Sequence, residues 1–238
     1  MRKAFFIALF LLPSFHTGAY AGLFDTLKER IGVSSQEELN TETVVSGLKE
    51  ALSVGTWKAV ESVSRVDGYF GNEMIKIVMP EKIQMVTDIL SRAGYQKQVD
   101  DFILSMNRAA ESAAPRTASI FISAIEKMTL EDARGILKGG DTAATDYFKQ
   151  RTSDSLYDAC KPIISSRMNE VGVTRSYKQM MDTYTSLPFT TLQSLDLDHY
   201  VTEKALDGLF HMLAQEEQKI RTNPTARTTD LLKKVFGR

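Results

Sequence analysis

Apolar residues recur in this 238-residue chain with a period near 3.6 almost throughout, which constrains its fold more than any other feature. A chain patterned this way hides one stripe of each helix against other helices. It does not suit a sheet, whose side chains alternate faces at every residue. The first long helix is predicted from about Thr41 to Arg65, with Val45, Leu48, Leu52, Ala59 and Val63 on its main face. Val54 and Trp57 fall on the opposite side, so this helix is expected to be covered on two faces. Asp67 to Asn72 is a turn cluster, Ile75 to Val78 reads as extended, and Pro80 opens a helix that stops at Gly94.

Further along, a helix from about Gln98 to Ala113 is followed by a new start at Pro115. Thr129 and Asp132 have the spacing of a capping box, with a shorter acid in place of Glu. Asp141 is expected to cap one helix carrying Tyr147 and Phe148, and Ser153 the next, which Pro162 should kink on its solvent side. Thr174 opens a segment with Tyr177, Met180, Met181 and Tyr184 along one side, and Asp198 is expected to cap a last long helix to about Arg221. The predicted fold is all-α: an array of about ten helices around one core, with at most a minor extended segment.

The N-terminus has a different logic. Met1-Arg2-Lys3, an apolar run from Ala4 to Leu12, Pro13, and Ala19-Tyr20-Ala21 before Gly22 match the basic, apolar and cleavage regions of a secretory signal. The run is too short for the ~20 residues that span a bilayer. The expected organisation is a signal peptide at 1–21, an amphipathic piece and linker at 22–40, and one helical domain at 41–238. The expected location is periplasmic, with no membrane span. Losing Arg2 and Lys3 takes the formal charge from −1 to −3, which offers no general attraction to nucleic acid. Cys160, the only cysteine, lies on a stripe with Leu156, Ile163 and Ile164, and reads as a buried hydrophobe.

Chemical signatures are sparse. His199 and His211 stand too far apart on one helix to share a metal, and no Cys pair exists, so no metal or cofactor is expected. Ser46-Gly-Leu-Lys49 matches Ser-x-x-Lys, but the Lys-Thr-Gly strand that such enzymes need is missing. The informative residues are polar groups on or beside apolar faces. Glu216 lands in the stripe of Val201, Ala205, Leu209, Met212 and Leu213; Arg167 lies beside Cys160 and Ile164; Asn107 and Glu111 border the stripe of their helix. Buried charges are costly unless paired, so each implies a partner. Either they form an ion-pair network fixing helix register, or they make the polar floor of a cleft.

Several blocks give the chain a family look: Gly47 to Leu52, Asp67 to Asn72, Asn107 to Glu111, Met128 to Ala133, Ala143 to Phe148, Thr174 to Lys178, Tyr200 to Phe210 and Ala226 to Lys233. In order and wording they resemble the exported bacterial family catalogued as domain of unknown function 4197. The resemblance implies an exported helical domain with no established activity, and so carries over no catalytic residue. It also implies lipid attachment for some relatives, whereas Ala21-Gly22 stand here where the lipidated Cys would be.

The leading expectation is a non-enzymatic binding or interaction module, taking an apolar or amphipathic ligand or a partner protein in an apolar cleft between helices. Its candidate residues are Arg108, Glu111, Arg167, Arg175, Lys178, Glu203 and Glu216. The alternative is a periplasmic enzyme with Glu216 or Glu203 as general base and Arg108, Arg175 or Lys178 holding an anionic substrate. A third is peripheral membrane contact through Gly22–Ile31 and through Leu231–Phe236 with Lys233 and Lys234.

Overall fold

The computed structural model describes residues 41–170, 196–227 and 233. The chain divides into Met1–Asn40 and Thr41–Arg238, and every described residue lies in the second unit. The segments expected at Gly22–Ile31 and Thr174–Leu187 fall outside the described residues, as does all of Leu231–Phe236 except Lys233.

The fold is all-α. Seven α-helices occur among the described residues: α1 (Thr41–Ser64), α2 (Glu81–Leu90), α3 (Gln96–Ala113), α4 (Thr117–Glu126), α5 (Leu130–Lys138), α6 (Ala143–Glu170) and α7 (Leu197–Thr222). The described residues hold fewer than the array of about ten expected: three of the expected segments fall outside them but for Lys233, and the helices foreseen around Tyr147 and after Ser153 are one continuous α6. No Gly or Pro interrupts residues 143–161, and the Ser153 hydroxyl donates to the Lys149 carbonyl at 2.7 Å, so it sits within the helix and caps nothing. Pro162 lies exposed inside α6, and the helix runs on through it.

Most other boundaries follow from local chemistry. Gly94, at φ 91°, breaks α2 from α3 through a π-turn at Ser91–Tyr95. The capping box at α5 is complete: Thr129 accepts from the Asp132 amide at 3.1 Å and its own N–H donates to the Asp132 carboxylate at 3.0 Å. At α7 the cap is Asp196, which accepts from the His199 N–H at 2.9 Å, two residues before the expected Asp198. Asp198 instead accepts the hydroxyl of Ser165 on α6 at 2.5 Å.

α6 packs extensively against α7 and α3, while α1 lies against α7 and α4. Phe121, Phe148 and Phe210 meet at the centre in edge-to-face pairs, with centroids 5.2 and 6.0 Å apart. Leu156, Ile164, Met106 and Leu209 close the same core. Val45, Leu48, Leu52, Ala59 and Val63 are buried as expected, but α1 is not covered on its other face: Trp57 is 57% exposed.

Cys160 is buried, and desolvation pushes its thiol up to about 11. The native protein should therefore resist aromatic disulfide reagents at pH 8 and react fully only in denaturant. Rapid labelling of the folded protein would contradict the buried placement.

Candidate functional site

The polar residues that interrupt the helical stripes go to three separate places. At the first, α3 holds the segment 67–78. Asp67 takes a left-handed φ of 64°, and Gly68 follows because a Cβ there would meet the Ser62 carbonyl oxygen at 2.6 Å. The turn is anchored by Glu111, whose carboxylate accepts from the N–H groups of Tyr69 and Phe70 at 3.1 and 3.3 Å. Arg108 neutralises that carboxylate at 2.6 Å and reaches Asp67 at 2.7 Å, so these partners raise the pKa of its guanidinium.

One turn earlier, the fully buried Asn107 accepts from the Ile77 N–H and donates to the Ile77 carbonyl, both at 2.8 Å. Its amide meets both backbone groups of Ile77 as a neighbouring strand would, although Ile75 still belongs to the preceding turn and no strand forms among the described residues. The Tyr69 hydroxyl then crosses to α7 and donates to the Ala205 carbonyl at 2.6 Å. Gly208 makes room for that ring, since a Cβ there would meet Tyr69 Cε1 at 2.7 Å. Every polar group in this cluster is spent on backbone or on a counter-charge.

The second place is the start of α6. The sequence pattern puts Glu216 in the stripe of α7, and its side chain is indeed only 12% exposed, but it pairs outward with Lys219 at 2.6 Å. The buried carboxylate is its neighbour Glu217. It accepts from the N–H groups of Ala144 and Thr145 and from the Thr145 hydroxyl, each at 2.9 Å, and is met by Arg221 at 2.8 Å. Arg221 also donates to the Ile136 carbonyl at 2.9 Å, tying the end of α5 to the same point. The amides that Asp141 was expected to cap are thus taken by a carboxylate from α7.

The third place is the surface. Arg167 follows Cys160 by two turns of α6, but its side chain is 54% exposed and pairs with Glu170 at 2.9 Å instead of entering the core. Glu203 is also exposed and lies 3.3 Å from His199 Nε2, while His199 Nδ1 is 2.7 Å from the Tyr157 hydroxyl. With Glu203 against Nε2–H, the tautomer follows and Nδ1 accepts from Tyr157. The order carboxylate, imidazole, hydroxyl is that of a triad, but here it is open to water on the outside of the α6–α7 pair. Arg175 and Lys178 lie outside the described residues. Glu203 and Glu216, thirteen residues apart on α7, are separated by about 20 Å along the helix axis. Arg108, Arg167 and Glu216 each engage a separate counter-charge and Glu203 lies against the His199 imidazole, so these residues do not converge on one site.

A cleft opens elsewhere, between α4, the start of α5 and α6, with a volume near 440 Å³. Its floor is Ile120, Ala124 and the half-buried ring of Tyr147, whose hydroxyl donates to the Ala124 carbonyl at 3.3 Å. Burial raises the pKa of the Tyr147 phenol. Ser119, Ser123, Lys127, Arg151 and Ser155 stand around it. Asp132 closes one end, ionised at neutral pH because the Thr129 N–H and hydroxyl bind its carboxylate and lower its pKa. The sequence reading missed this site. Ser119, Ser123 and Lys127 do fall at i, i+4 and i+8 on α4, but one helix's polar stripe looks the same whether it faces water or a neighbour's stripe.

No helix among the described residues is long and apolar enough to cross a membrane. No curated protein and no solved structure matches the chain. The family model described as "Protein of unknown function (DUF4197)" matches residues 38–237, and so spans all the helices and the cleft described above. The chain belongs to that family.

Proposed function

We propose that the domain is a non-enzymatic binding module, exported to the periplasm, that receives a small amphipathic ligand in the cleft between α4, α5 and α6. The observation that carries this reading is the cleft itself: near 440 Å³, with an apolar floor and polar groups only at its edge. That size, with Ile120, Ala124 and the Tyr147 ring set among charged and hydroxyl groups, suits an amphipathic small molecule. The enzyme reading has less behind it, because among the described residues Arg108, Glu203 and Glu216 are each engaged by a different partner.

The test is native mass spectrometry of protein purified from its own periplasm. The wild type should carry a non-covalent mass that Ser123→Trp, which fills the cleft from α4, removes without changing the helical circular dichroism. A wild type free of ligand, or a mass retained by Ser123→Trp, overturns the reading. Export is checked in the same preparation: the N-terminal residue should be Gly22, and an intact Met1 in the cytosolic fraction would refute it.

A further inference from the structure

We infer that the ligand of this cleft is a monoanionic amphiphile, its head held by Lys127 and Arg151 and its body lying over Ile120, Ala124 and the Tyr147 ring. The inference rests on the cleft being the binding site.

Three charged side chains line the cleft: Lys127, Arg151 and Asp132. Asp132 is committed on one oxygen to the Thr129 N–H and hydroxyl, and its other oxygen stands 3.6 Å from Arg151, an ion pair without a hydrogen bond. Lys127 pairs with no carboxylate among the described residues, and it is the C-cap of α4 rather than part of a helical i,i+4 pair. The cleft therefore holds two cations against one carboxylate, a net charge of +1 beside an apolar floor.

A guanidinium with unused donors and a lone ammonium at the mouth of an apolar cavity favour a carboxylate, sulfonate or phosphate monoester carrying a hydrocarbon or aromatic body. A neutral ligand would leave the charge uncompensated. A cation would be repelled by it.

Two fluorescent probes of similar shape separate head from body: anilinonaphthalene sulfonate, a monoanion, and phenylnaphthylamine, which is neutral. The folded full-length domain should bind the sulfonate about tenfold more tightly at low salt, an advantage that shrinks as salt screens the cations. Lys127→Ala/Arg151→Ala should weaken the sulfonate about tenfold and leave the neutral probe within about twofold. Both positions are exposed, and a melting curve of each variant confirms folding. Equal affinity for the two probes, or a double variant that binds the sulfonate like wild type, overturns the anionic class but leaves the cleft as a binding site. If neither probe binds, or if Ser123→Trp displaces neither, the cleft reading fails and this inference fails with it.

Discussion

Replacing Glu217 with Met should lower the unfolding free energy by about 3–5 kcal/mol, because the change strands a buried Arg221 and removes the acceptor for the first amides of α6. Urea denaturation gives the size, and the Ala144 and Thr145 amides should lose protection against hydrogen exchange first. Adding Arg221→Met should recover part of the loss by removing the stranded charge, although the amides remain unmet. A Glu217→Met protein within about 1 kcal/mol of wild type would mean that water reaches α6's N-terminus and that the carboxylate is not its cap. Glu216→Met is the internal control. Glu216 is nearly as buried, its side chain 12% exposed, but its lysine partner stays 55% exposed and it is shown holding no helix-start amide, so its loss strands no buried partner and should cost less than Glu217→Met.

Asn107→Leu should be comparably severe, about 2–6 kcal/mol, since a side chain of similar size leaves both the N–H and the carbonyl of Ile77 buried without partners. Asn107→Asp keeps the acceptor for the Ile77 N–H but sets a carboxylate against the Ile77 carbonyl. It should therefore fold no better than the Leu variant at neutral pH. Chemical denaturation of both variants checks this. Wild-type stability in either one would show that Ile77 holds its place without the Asn107 amide.

The all-α class could be read from the 3.6-residue period, because burial of a stripe is written into each helix separately. The α5 capping box and the break at Gly94 were equally legible, since both depend on residues three or four apart. Asn107 and Glu111 could be flagged as polar residues bordering an apolar stripe, but not as the holders of the 67–78 segment, because their partners lie 30 to 42 residues away. The confusion of Glu216 with Glu217 has a simple cause. Met212 and Leu213 are both buried, so i+4 steps from the stripe lead equally to residues 216 and 217. Only the approach of α6's N-terminus selects the second. Arg167 misled for the same reason: its position on α6 borders the stripe of Cys160 and Ile164, and the choice between core and solvent belongs to the neighbouring helix. The cleft was invisible because it is made where three helices meet, from side chains that each look like ordinary surface.

α7 completes what the earlier helices begin. The hydroxyl of Tyr69 finds its acceptor 136 residues later, at Ala205, and the carboxylate that caps α6 comes from Glu217, 73 residues after Ala144. A chain made or threaded N-terminus first therefore has no route to its native state until nearly all of it has emerged. Its early helices can form and collapse, but the latch that locks them together arrives at the end. Removing α7 should leave a compact but unlocked chain rather than a smaller native protein.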